Sequence, residues 1–296
     1  MHGDAVGAAE FSLHRCPDGI RLIGAPRLAH RRDVIDVDAQ FNERVDFHVA
    51  SVALAACARR YNRVEPHHQP VANFHDKLAE LRTAIVGQGD RVLDLTLRAV
   101  ESYFDLDSSK AGTIATLDDD VDRVDVEIER ASIPLLAMGP TDPYDIRSVL
   151  TIVKVNNELE RVADCAVNIA EVVLREGKPK ERIPDTFRVM ANSVIGMLRD
   201  ANRALATSNP SLAQQVLLFD DTVSGFKEKI LLDAQEKVAR GAFDVTFAFR
   251  LLAVTKALER IADHCTNISE QVIYLESGRI VRHRPEGWTA PISPDA

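Results

Sequence analysis

The chain has 296 residues, of which 46% are apolar and 5% aromatic, and this composition favours helices packed through aliphatic side chains over an aromatic-rich β-sandwich. Its 36 basic and 45 acidic residues give a net charge of -9, which argues against DNA or RNA as a main ligand. No apolar run approaches the ~20 residues that a membrane helix needs, and the four cysteines form no CxxC pair, so we expect a reducing compartment and no cysteine zinc site.

Residues 1–72 differ in composition from the rest of the chain. The first 70 residues contain nine arginines, six of the nine histidines and no lysine. An apolar run, 49–58, could be a short helix or a signal-like segment, but its positive flank lies on the wrong side for a signal. We expect either a weakly structured extension or a mis-assigned start, with Val71 as the alternative first codon.

Two helices are predicted next. The first spans roughly 74–105. Over 114–135 apolar side chains recur at alternating intervals of three and four residues, which is the spacing of one helix face. Pro134 should kink or end this second helix, and Gly139-Pro140 follows it.

A third helix is predicted to begin at Asp142-Pro143, because proline is favoured at the first position of a helix. The same three-and-four spacing continues along it. Its apolar face comprises Ile152, Val155, Leu159, Val162, Ala166, Ile169 and Val173.

The second half repeats the first. Residues 159–171 recur 99 residues later as 258–270, with eight of thirteen positions identical. Residues 176–184 separate the halves, and a further helix is predicted over roughly 187–206. The two remaining apolar faces comprise Val216, Phe219, Val223, Phe226 and Ile230, then Leu251, Val254, Leu258, Ile261, Cys265, Ile268, Val272 and Leu275. Residues 241–244, from Gly241 to Asp244, are predicted to interrupt the helical structure between these two faces.

The sequence therefore predicts an all-α fold of two tandem, antiparallel three-helix bundles. We place the first bundle at 73–178 and the second at 185–281. Residues 282–296, with three prolines and the only tryptophan, are expected to be a disordered tail.

Pairs of acidic residues at i,i+4 are the candidate chemistry of this chain. They are Asp118/Asp122, Glu160/Asp164 and Glu259/Asp263, each on one helix face beside the apolar residues. Like charges at this spacing destabilise a helix by ~0.2–0.5 kcal/mol, so a cation or nearby arginines should offset them. Carboxylates from two helices suit iron, manganese, zinc or magnesium. The alternative is a solvated acidic face neutralised by Arg161 and Arg260.

Other catalytic or nucleotide-binding patterns are missing from the sequence. There is no P-loop, no dinucleotide-binding glycine pattern and no HExxH. His264 follows Asp263 along a helix, so the two side chains diverge, and we interpret it as a boundary or surface histidine rather than a catalytic one. The sequence thus predicts no enzyme.

The duplicated segment resembles the signature of a known family. The second copy reads Leu-Glu-Arg-Ile-Ala-Asp-His-Cys-Thr-Asn-Ile-Ser-Glu over 258–270. Together with the duplication and the helix order, it is similar to the PhoU family over about 74–281. Residues 1–70 have no counterpart in this resemblance.

The resemblance implies a regulator rather than an enzyme. Members of this family are cytoplasmic negative regulators of phosphate uptake and of the phosphate-starvation response. They act between the phosphate-specific ABC transporter, through its ATPase subunit, and a sensor histidine kinase, and they often form homodimers. Such a protein meets the membrane only through its partners.

The resemblance also implies iron or zinc bound to E(D)xxxD pairs. It places Asp118, Asp122, Glu160 and Asp164 in one metal site and Asp220, Glu259 and Asp263 in a second. This chain departs from the pattern at Ser224, which stands where the acidic partner of Asp220 is expected. The second site would then be incomplete or completed differently.

Two other classes of protein fit the pattern less well. A di-iron carboxylate enzyme would use Glu-x-x-His on inward faces of a bundle, whereas the repeats here carry Glu-x-x-x-Asp beside the apolar faces. A purely structural helical scaffold would show long uninterrupted heptads, which the short looped halves lack.

Overall fold

Helices make up most of the part of the chain that the computed structural model describes, namely residues 13–15, 21–23, 71–175 and 180–281. The chain divides into two compact units, Met1–Glu65 and Pro66–Ala296. The helices within the described residues lie in the second unit. They are α1 Val71–Asp105, α2 Ser108–Gly112, α3 Ile114–Ala137, α4 Pro143–Arg175, α5 Asp185–Ala206, α6 Pro210–Ala239 and α7 Val245–Ser277.

The described residues of the first unit form two short strands. β1 Leu13–Arg15 pairs antiparallel with β2 Arg21–Ile23, and His14 stands opposite Leu22. This hairpin lies in a region that we expected to be weakly structured. The apolar run 49–58 and the tail 282–296 lie outside the described residues.

Several of the described helices begin where a short polar side chain accepts from free backbone N–H groups. Asp142 Oδ1 accepts from Tyr144 N at 2.7 Å, just before Pro143, as predicted. Asn209 accepts from Leu212 N at 3.0 Å, with Pro210 at the first helical position of α6.

Helix ends are also close to prediction. α3 continues to Ala137, three residues beyond Pro134, so the proline lies in its last turn. Gly278, with a φ of 69°, ends α7 by donating from its N–H to Tyr274 O. The short helix α2 is not predicted by the sequence.

Two groups of three long helices pack side by side, which confirms the duplicated all-α architecture. α1, α3 and α4 form the first group, and α5, α6 and α7 form the second. α4 and α7, which carry the repeated segment, share the most extensive contact between any two helices described, and α1 also touches α5. The two halves therefore share one hydrophobic core.

The predicted apolar faces of α4 and α7 are buried throughout. Leu159 and Leu258, at equivalent positions of the repeat, are both 0% exposed. α6 departs from prediction, because Phe219 is 40% exposed and Leu217 is buried in its place. The free thiols of Cys165 and Cys265 are also buried, in keeping with a packing role for Cys265.

Polar contacts join the two halves across the α4–α7 interface. Glu158 Oε2 on α4 accepts from Asn267 Nδ2 at 2.9 Å and lies 2.8 Å from His264 Nδ1 on α7. His264 is therefore a boundary histidine, as expected, but with a specific partner. Burial raises the pKa of Glu158, but the hydrogen bonds with His264 and Asn267 outweigh burial, so the net effect lowers that pKa.

Candidate functional site

Two acidic pairs of the first half meet between α3 and α4. We call this group, Asp118 and Asp122 on α3 with Glu160 and Asp164 on α4, the first acidic cluster. Each carboxylate lies at the edge of a buried apolar face, where Val121 and Leu159 are no more than 1% exposed. The packing of these apolar faces therefore places the four carboxylates side by side.

Burial and nearby negative charge disfavour the charged state of two carboxylates in this cluster, Asp118 and Glu160. Burial, followed by the nearby charges of Asp122 and Asp164, raises the pKa of Asp118 to about 6. Burial and then the charge of Asp164 also raise the pKa of Glu160. These couplings confirm that the pairs on α3 and α4 lie close together.

The first acidic cluster has no ion-pair partner within the described ranges 71–175 and 180–281. Arg161 is near enough to lower the pKa of Glu160, but its Nε donates to Asn157 Oδ1 at 3.1 Å. Arg161 therefore acts on Glu160 through its nearby charge, as the alternative of a solvated acidic face neutralised by arginine expects, but without an ion pair.

A polar cleft extends the first acidic cluster along the same two helices. Asp125 and Glu129 line this cleft of about 170 Å³ together with Glu160. Asn156 Nδ2 donates to Asp125 Oδ1 at 2.6 Å, whereas Asn156 Oδ1 is buried and accepts no hydrogen bond. Asp125 thus brings a fifth carboxylate that the sequence analysis did not include.

The equivalent group in the second half lies between α6 and α7. We call Asp220, Glu259 and Asp263 the second acidic cluster. Burial and then the charge of Asp263 raise the pKa of Asp220. Burial and then the charge of Glu259 raise the pKa of Asp263. The three carboxylates predicted to form the second site are therefore neighbours.

Two lysines that the sequence analysis missed contact the second acidic cluster. Lys227 Nζ lies 2.8 Å from Glu259 Oε1, and Lys256 Nζ lies 2.7 Å from Glu259 Oε2. Burial raises the pKa of Glu259, but the hydrogen bonds from both lysines outweigh it, so the net effect lowers that pKa. These two lysines, rather than the expected Arg260, offset the charge of Glu259 in the second acidic cluster.

The first acidic cluster offers carboxylate oxygens, which are ligands that hard or borderline cations bind. The donor set therefore fits iron or zinc chemically. In the part of the chain that the structure describes, however, no three His, Cys, Asp or Glu side chains are arranged so that they could hold a metal ion. The side chains would have to turn towards a shared ion. Metal binding by either cluster stays a prediction.

The first acidic cluster predicts a pH dependence for the metal-free protein. An aspartate in an unfolded chain has a pKa of about 3.9, whereas the pKa of folded Asp118 is about 6. Between these values the folded state binds more protons, so stability falls as pH rises through that window. Asp118→Asn should remove this penalty and raise the melting temperature at pH 7.5, with little gain at pH 4.

Thermal melts in a chelator at the two pH values test this expectation. Asp120→Asn is the matched control, because Asp120 lies on the same helix and pairs with the exposed Arg123 at 3.3 Å. An equal effect of Asp118→Asn at both pH values would contradict the electrostatic explanation.

Comparisons with known proteins agree with the duplicated helical fold. The PhoU domain model matches residues 85–173 and 187–272, one match in each half of the helical unit. A PhoU homologue of Clostridium acetobutylicum is 31% identical over 210 residues, which cover 70% of this chain and 96% of that protein. PhoU homologue 1 of Thermotoga maritima is 30% identical over 61% of this chain and 79% of its own length. Both are described as phosphate-specific transport system accessory proteins.

Solved structures show the same fold. The crystal structure of PhoU from Pseudomonas aeruginosa superposes with a TM-score of 0.67 at 26% identity, over 70% of this chain and all of that one. The phosphate transport system regulatory protein PhoU from Streptococcus pneumoniae gives 0.66 at 25% identity, over 70% of this chain and 99% of that one.

The family model alone covers more than half of the residues. Its two matches each contain one copy of the repeated segment, on α4 and on α7. The chain belongs to the PhoU family.

Proposed function

We propose that this protein is a regulatory adaptor that restrains phosphate uptake and the phosphate-starvation response when phosphate is plentiful. The observation that carries the proposal is the doubled Leu-Glu-Arg-x-Ala-Asp segment, which forms the central helices α4 and α7 of a PhoU fold. Relatives with this fold are described as accessory or regulatory proteins of phosphate transport.

The proposed partners are the ATPase subunit of a phosphate-specific ABC transporter and a phosphate sensor histidine kinase. None of the helices in the described ranges combines the length and the apolar character that a membrane span requires. We propose a cytoplasmic homodimer without enzymatic activity, which reaches the membrane through these partners.

The first acidic cluster is the proposed metal site of the adaptor. Asp118, Asp122, Glu160 and Asp164 would hold iron or zinc, because the described residues offer them no ion-pair partner and burial already opposes the charges of Asp118 and Glu160. A bound cation would offset the repulsion between α3 and α4. The metal would therefore stiffen one face of the adaptor rather than take part in a reaction.

Co-purification from cells tests the proposed partnership. The full chain carrying an affinity tag should retain the transporter ATPase and the kinase from membranes of cells grown in high phosphate, and less of both after starvation. Untagged cells provide the background. Recovery of neither protein above that background, in either medium, would contradict the adaptor function.

A further inference from the structure

The two halves of the molecule differ in charge at equivalent positions. On α3 and α6, which align with a shift of 102 residues, Asp122 corresponds to Ser224 and Asp125 to Lys227. On α4 and α7, which align with a shift of 99, Asn157 corresponds to Lys256. The five carboxylates of the first half are thus matched in the second by three carboxylates, one hydroxyl and one ammonium group, and the neutral Asn157 is matched by a second ammonium group.

The two lysines converge on one carboxylate. Each oxygen of Glu259 receives one ammonium group, at 2.8 Å from Lys227 and 2.7 Å from Lys256. The Glu259 side chain is 15% exposed, so few water molecules reach it. Hydrogen bonds between charged groups are about twice as strong as neutral ones. A metal ion that uses these oxygens would have to compete with both ammonium groups and be placed beside their positive charge.

Glu160, the equivalent of Glu259, has different neighbours. Within the described ranges no ammonium or guanidinium group forms an ion pair with it. The residue at the position of Lys227 is Asp125, which adds negative charge, and the residue at the position of Lys256 is the neutral Asn157. The carboxylate oxygens of Glu160 therefore stay available for a cation.

We infer that Lys227 and Lys256 take the place of a metal ion in the second acidic cluster, so that this chain binds metal in its first half only. The two ammonium groups supply positive charge beside the three neighbouring carboxylates, and the pair between Lys227 and Glu259 joins α6 to α7 whether or not metal is present. The inference rests on the metal site proposed for the first acidic cluster.

Reciprocal grafts of the two clusters test this inference with zinc alone as the probe. Asp125→Lys with Asn157→Lys places both ammonium groups in the first acidic cluster and leaves its four proposed ligands intact. Zinc bound per chain after dialysis should then fall from the wild-type level to background. Wild-type zinc content in this folded variant would overturn the inference.

The converse graft starts from Asp118→Asn/Asp122→Asn, which disables the first acidic cluster. This variant should hold no zinc, and adding Ser224→Asp, Lys227→Asp and Lys256→Asn should create a zinc site. Lys229→Asp, at an exposed lysine of α6, is the control for Lys227→Asp. Zinc that binds while Lys227 and Lys256 are intact, and is lost on Glu259→Gln/Asp263→Asn, would overturn the inference.

A measurement without metal separates this inference from the proposed function. In chelator, Lys227→Met/Lys256→Met should lower the melting temperature by about 2–4 °C, and adding Glu259→Gln should recover most of the loss. No loss in the double variant would overturn the inference. If wild-type protein binds no zinc at all, the proposed metal site of the first half fails, while these melts still decide the role of the lysines.

Discussion

Leu159→Ala and Leu258→Ala should each destabilise the protein by roughly 2–5 kcal/mol. Both leucines are fully buried, one on α4 and one on α7. These helices make the most extensive contact among those described, so truncating either leucine opens a cavity in the core shared by both halves. Chemical denaturation of the full chain measures the loss as a lower midpoint.

Glu160→Gln is the matched control for Leu159→Ala, since the two residues are adjacent but lie on different sides of α4. Removing a charge from a crowded cluster should change stability little, or raise it slightly in metal-free protein. A loss for Glu160→Gln as large as that for Leu159→Ala would mean that the buried and acidic faces have been assigned wrongly.

Asp118→Asn combined with Asp122→Asn should lower the affinity for iron or zinc by more than about ten-fold, because loss of a direct ligand exceeds the effect of losing a supporting group. The double variant should fold normally and melt at a higher temperature than wild type in chelator, because it lacks two crowded charges. Elemental analysis of protein purified without added metal, and repeated after loading, measures the change.

Asp120→Asn again serves as the control, since its carboxylate faces Arg123 on the exposed side of α3. It should retain the wild-type metal content. Equal metal content in all three proteins would exclude the first acidic cluster as the binding site. A metal-free wild-type protein after loading would instead favour a solvated acidic surface.

The helical fold could be predicted in detail because its signal is local and duplicated. The three-and-four spacing assigned α4 and α7 correctly, and every residue named on those two faces is buried. Phe219 was assigned wrongly, because α6 presents apolar residues on more than one side, including the 55% exposed Leu218. Spacing alone does not tell which of these sides meets the core.

Only the part of the candidate site that follows from residue spacing along a helix, namely the i,i+4 pairs of carboxylates, could be predicted from the sequence. The i,i+4 pairs come together because α3 and α4 are antiparallel neighbours. The contact of Lys227 with Glu259 depends on which turns of α6 and α7 face each other and on the reach of a long side chain. The contact of Lys256 with Glu259 is an i,i+3 pair within α7, so its spacing was present in the sequence. Alignment of the two halves would have given the signal, since Lys227 replaces Asp125. The contact between Glu158 and His264 joins non-equivalent positions of the repeat, so the repeat gives no sign of it.

Expression of phosphate-starvation genes in a strain that lacks this protein tests the central claim most directly. In phosphate-rich medium the deletion should raise alkaline phosphatase and transporter expression, and the full chain supplied in trans should restore repression. Expression that stays at the wild-type level in the deletion strain would contradict a role in restraining the phosphate response.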